Sequence, residues 1–122
     1  VKHEETKLQI TVVHYLRLVH PDLMWFSVPN GGYVLDKRTA SLLKATGLRA
    51  GVPDLAFVLP GAIVKFIELK TAKGTLSDEQ AVVINALRRL GCEVEICRSL
   101  DAVIATLAKW DIKGRTVRQG EL

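Results

Sequence analysis

The 122-residue sequence has little of what marks a membrane, secreted or zinc-bound protein. No apolar run approaches the ~20 residues needed to cross a bilayer. The start, Val1-Lys2-His3-Glu4-Glu5, is polar and is not a secretory signal. It has no initiator Met, so further residues can precede it. The only cysteines are Cys92 and Cys97, without CxxC spacing. They imply neither a disulfide framework nor a zinc site and read as small packed hydrophobes in a reducing compartment. The histidines, His3, His14 and His20, are scattered, with no metal-ligand grouping among themselves or with cysteine. No internal repeat, low-complexity tract or linker interrupts the chain.

What is present is an ordinary globular composition, 48% apolar and 25% charged. That excludes disorder as the dominant state. The length suits a single domain over residues 1–122. Lys plus Arg total 17 against 13 Asp plus Glu, a net charge of +4 with a pI near 9.3, which is a mild bias toward polyanionic partners.

Glycine and proline divide the chain into element-sized pieces. Leu8, Val12, Tyr15 and Val19 repeat at helical spacing, so residues 4–19 read as a helix stopped by His20-Pro21. Met24 to Val28 reads as a strand, and Pro29-Asn30-Gly31-Gly32 as a loop. Thr39 to Thr46 reads as a short helix. Asp54–Leu59 and Ile63–Lys70 read as two strands turning at Pro60-Gly61. Ser77-Asp78-Glu79-Gln80 matches a capping box opening a helix to Leu90. A strand over Glu93–Cys97 and a helix from Ser99 to about Trp110 follow. Trp25, Phe26, Phe57 and Phe66 are expected in the core, Trp110 at the core or an interface, and residues 111–122 as a loosely held basic tail. The order α-β-(α)-β-β-α-β-α implies an α/β fold with helices flanking a mixed sheet.

Side chains alternate faces along a strand, so Phe66, Glu68 and Lys70 share one face and Ile67 and Leu69 the other. If the hairpin pivots on Gly61, residues whose numbers sum to 122 lie opposite, and Asp54 faces Glu68. Two carboxylates in that position repel. A divalent cation with oxygen ligands would compensate them, and Lys70 would add a neutralising ammonium. The plainer alternatives are a strand-edge turn residue at Asp54 and a solvated face at Glu68 and Lys70.

Pro53-Asp54 followed by Glu68-Leu69-Lys70 resembles the PD-(D/E)XK nuclease signature. More narrowly, the chain resembles a stand-alone VRR-NUC domain. The similarity rests on Glu5-Thr-Lys-Leu-Gln9, Val28-Pro-Asn-Gly-Gly32, Gly47-Leu-Arg-Ala-Gly-Val-Pro-Asp-Leu55, Ile67-Glu-Leu-Lys70 and Leu76-Ser-Asp-Glu-Gln80, and spans about residues 4–108. It implies a restriction-endonuclease-like fold and a Mg²⁺- or Mn²⁺-dependent DNA endonuclease. Under that resemblance Asp54, Glu68 and the Leu69 backbone carbonyl hold metal, and Lys70 positions or activates the attacking water. Glu5, with Glu4 as competitor, is the helix acid completing the acidic cluster. Gln80 sits near the site, a role compatible with capping. Asn30, Gly31 and Gly32 form a loop beside the active site, and Lys37, Arg38, Lys44, Arg49 and Lys73 are candidate DNA phosphate contacts. Each of these cations also reads as a solvated surface charge.

The resemblance further implies a homodimer acting on branched DNA such as a four-way junction, with no membrane partner, in the cytoplasm of a bacterial or phage-infected cell. The rival readings are a non-catalytic nucleic-acid-binding module on the same fold and a plain interaction subunit.

Overall fold

The computed structural model describes residues 2–29, 36–118 and 120–121. The elements are α1 (Lys2–Val19), β1 (Met24–Ser27), α2 (Lys37–Ala45), β2 (Leu55–Leu59), β3 (Ile63–Leu69), α3 (Asp78–Arg89), β4 (Glu93–Cys97) and α4 (Leu100–Lys109). This is the order read from the sequence, with ends shifted by one or two residues.

Local chemistry explains the helix starts. Asp36 accepts from the Thr39 N–H at 2.7 Å to open α2, and Ser99 accepts from the Ala102 N–H at 3.1 Å to open α4. Ser77 and Gln80 form the full capping box of α3. Each cap satisfies an N–H that the helix itself leaves unpaired. Glu4 and Glu5 lie in the first turn of α1 and Arg17 in its last, complementing the helix dipole.

The sheet order is β1-β2-β3-β4. The first two pairings are antiparallel and β3 runs parallel to β4, with α3 as the crossover. Leu55 pairs with Ile67 and Leu59 with Ile63, the pivot expected from the hairpin arithmetic. One face carries Leu55, Phe57, Ile67 and Leu69, all 2% exposed or less, and packs against Val12 and Leu16 of α1 and Val103 and Leu107 of α4. Trp110 joins this core and meets Phe57 edge-on at 5.8 Å between centroids. The other face carries buried Ala56 and Val94 and is covered toward β3 and β4 by α3, which buries Val83 and Ile84.

Two expectations are corrected. Phe26 is 48% exposed and Phe66 only half-buried. The α3 crossover covers the β3–β4 half of its face, and among the described residues nothing extends it over β1, where Met24 is exposed too. The described part of the tail is also not loosely held. Ile112 packs against the core. The Arg115 N–H donates to Val19 O at 2.8 Å, and its Nε donates to Leu18 O at 2.6 Å. Glu121 pairs with the Arg115 guanidinium at 2.7 Å. A helix leaves its last carbonyls without internal partners, and Arg115 supplies donors to two of those of α1.

Arg115→Ala is expected to cost about 1 kcal/mol, because it keeps the backbone bond to Val19 and frees only the Leu18 carbonyl, which can turn to water. Urea denaturation reads this directly, and a midpoint equal to wild type would contradict a stabilising clasp.

Candidate functional site

The site forms where four elements end together. Asp54 precedes β2, Glu68 is the penultimate residue of β3, and Lys70 follows that strand. Gln80 belongs to the first turn of α3 and Glu5 to the first turn of α1. Gly51 sets the approach of the Asp54 segment. Its φ is +87°, and a Cβ there would stand 2.5 Å from Glu79 O and 2.9 Å from Gln80 N. The segment thus runs hard against the start of α3, at a backbone angle and a clearance that only glycine provides. On sequence alone Gly51 was punctuation before Val-Pro-Asp.

Hairpin register fixes the carboxylates. With Leu55 opposite Ile67, the next position outward sets Asp54 opposite Glu68. Their bonds interlock. The Asp54 N–H donates to Glu68 Oε1 at 3.3 Å, and the Leu69 N–H donates to Asp54 Oδ2 at 2.7 Å. Glu68 is 1% exposed, and its other oxygen accepts from Gln80 Nε2 at 2.8 Å. The Gln80 carbonyl meanwhile accepts from the Ser77 N–H at 2.9 Å. One side chain therefore closes the capping box and orients a buried carboxylate.

Lys70 is 8% exposed. Its Nζ lies 3.5 Å from Glu5 Oε1 and 3.9 Å from Glu68 Oε2. Glu5 thus faces the site while Glu4 is exposed; Glu5 pairs with the Lys70 ammonium, and its charge also acts on Asp54. Lys37, Arg38 and Lys44 lie on α2, a helix with no buried residue, and Arg49 and Lys73 are also exposed. Asn30, Gly31 and Gly32 fall outside the described residues. The residue that sequence reading missed is Arg98, which binds the turn directly after Lys70. An arginine following a strand carries no signal of that contact.

Burial is the main force on the acids. It raises the Asp54 pKa, against the opposing Leu69 N–H. It also raises Glu68 from 4.5 to about 8, with the neighbouring Asp54 charge adding to the effect. The pair behaves as one unit in which Glu68 keeps its proton and hydrogen-bonds to Asp54. Either a proton or a cation relieves two adjacent carboxylates of which one is buried and the other half-buried. Among the described residues no three His, Cys, Asp or Glu side chains are grouped to hold a metal. Two carboxylates, with waters and phosphate oxygens completing the shell, are however a donor set that suits Mg²⁺. The residues fit such an ion.

With this geometry in hand, the comparisons are specific. The VRR-NUC domain family model matches residues 20–101. A solved structure described as a VRR_NUC domain is similar, with a TM-score of 0.56 and 19% identity, covering 86% of this chain and 94% of that one. At that identity the likeness speaks to fold, and it agrees with a restriction-endonuclease-like mixed sheet flanked by helices. No curated protein matches the chain. Among the described residues no helix is long and apolar enough to cross a membrane.

In metal-free protein the Glu68 proton belongs to the folded state. The unfolded chain releases it near pH 4.5, the folded chain near pH 8. This group's contribution to stability is complete below pH 4.5 and is lost as pH rises toward 8. Thermal melts should show that decline, and Glu68→Gln should flatten it. Mg²⁺ or Mn²⁺ should raise Tm more at pH 8 than at pH 4.5, since the cation competes with the proton. Equal slopes in wild type and variant would contradict this account of the pair.

Proposed function

Since this chain belongs to the VRR-NUC domain family, a nuclease-type domain acting on DNA, we propose that it is a metal-dependent, structure-selective DNA endonuclease. The observation that carries the reading is the interlocked pair of half-buried Asp54 and buried Glu68, with the Lys70 ammonium 3.9 Å from Glu68. Asp54, Glu68 and the Leu69 carbonyl would hold Mg²⁺ or Mn²⁺, which when bound supplies Lewis acidity at the phosphate and a water of lowered pKa. Lys70 positions the attacking water and balances charge developing on the phosphate. Gln80 fixes the orientation of Glu68, and Glu5 pairs with Lys70. The phosphodiester is cleaved by in-line attack.

The exposed cations Lys37, Arg38, Lys44, Arg49 and Lys73 contact phosphates. Such contacts read backbone position rather than base sequence, so selectivity comes from DNA shape. A two-fold homodimer would present two sites to a branched substrate such as a four-way junction.

Four-way junction, flap and plain duplex DNA, each with Mg²⁺, Mn²⁺ or chelator, test the reading. Cleavage should favour the junction, require the metal, and disappear in Asp54→Ala and Glu68→Ala. Gln80→Ala should lower metal affinity or rate about 10–100-fold, as loss of a partner to a ligand does. Cleavage that persists unchanged in both carboxylate variants would overturn the site. Tight DNA binding without cleavage on every substrate would favour the non-catalytic module, and a species that sediments only as monomer with and without junction DNA would remove the dimer. Replacing Lys37 or Arg38 by Ala should weaken junction binding and reduce its salt slope by about 1.

A further inference from the structure

Lys70 is unusual as a lysine, because a long cationic side chain is seldom almost fully buried. Its four-carbon stem is flexible, so the ammonium stays between Glu5 and Glu68 only if something confines the stem. The turn Thr71-Ala72-Lys73-Gly74 lies directly against it. A Cβ on Gly74 would stand 3.5 Å from Lys70 Cδ and 2.9 Å from Thr71 Oγ1. The turn closes through the Gly74 N–H donating to Thr71 O at 3.2 Å. That single long bond does little to hold a four-residue turn within the longer connection from β3 to α3.

The remaining hold comes from β4. The Lys70 N–H donates to Cys97 O at 3.0 Å, and the next residue is Arg98. Its Nη1 donates to Thr71 O at 2.7 Å and to Gly74 O at 2.6 Å, with Ala72 O at 3.5 Å. One guanidinium nitrogen thus grips both ends of the turn at once, and a charged donor makes these bonds stronger than neutral ones.

We propose that Arg98 is a positioning residue for Lys70: by clamping the Thr71–Gly74 carbonyls it holds the turn that walls the lysine stem, and so sets where the ammonium stands. Arg98 contacts none of the reacting groups and acts through the turn. The structural part stands on contacts alone, and the catalytic consequence rests on the nuclease reading above.

The test separates the two. Reductive methylation of the native protein, read by mass spectrometry, reports the exposure of each lysine without any substrate, and Lys109 on α4 serves as the internal reference. Arg98→Ala should speed methylation of Lys70 about fivefold relative to Lys109, the increase expected when a local contact opens. Arg98→Lys, which keeps a cationic donor, should restore most of the protection. If Arg98→Ala does not fold, Arg98→Gln is read in its place. Lys70 as protected as in wild type in Arg98→Ala or Arg98→Gln would overturn the proposal, as would equal acceleration of every lysine, which marks general loosening.

In the kinetic arm, Arg98→Ala should lower kcat on junction DNA with KM changed less than kcat, and Arg98→Lys should recover it. Unchanged kcat beside an exposed Lys70 would refute the catalytic consequence. Wild type that cleaves nothing would sink the nuclease reading and leave the methylation result standing.

Discussion

Two carboxyls in one dry place govern this molecule. Asp54 and Glu68 stand opposite each other because Leu55 pairs with Ile67, and that register is set by the core. Ile67 and Leu69 face α1 and α4, with Glu68 between them on the opposite side. A slip of one residue would bury Glu68 in the apolar core and turn both aliphatic residues away from it. The apolar face therefore enforces the electrostatic conflict on the other. The surrounding contacts answer it: an N–H from Leu69, the Gln80 amide, the Lys70 ammonium, and Glu5 beyond that ammonium. Buried charge of this kind does little for stability by itself. Its persistence in an otherwise ordinary core is what marks the place as a site.

Much of this was legible in the sequence, because period and turn chemistry are local. The Pro60-Gly61 turn with alternating strands gave the register by simple addition, and Ser77-Asp-Glu-Gln80 gave the start of α3. The same spacing that makes Gln80 a cap brings its amide to Glu68. The less legible features are contacts between distant segments. Phe26 looks like a core aromatic, and only the placement of the α3 crossover leaves it exposed. Arg98 and Arg115 look like surface charges, yet each satisfies backbone carbonyls of a remote segment. Burial of Lys70 beside a turn cannot be seen in a one-dimensional pattern, since that turn is bonded to Arg98, a residue 24 to 27 positions away.

The charge balance acquires a shape from this arrangement. Glu5, Asp54 and Glu68 are gathered at one end of the sheet, where two of them are engaged with each other and one with Lys70. Other acids pair locally, Glu93 with Lys65 and Glu95 with Lys109. The cations of α2 and those beside it remain exposed. A net charge of +4 thus understates how cationic the α2 side is. A polyanion meeting the protein encounters that side through long-range attraction before any short-range contact forms.

The Arg115 clasp joins residues far apart in the chain to the end of α1. The contact closes across 97 positions of sequence, so whenever the two segments part, Leu18 and Val19 must leave their carbonyls to water. The end of α1 is thus secured at long range, while its helical bonds are local. Opening of the Ile112–Arg115 segment would loosen the helix that carries Glu5 without breaking any strand pairing.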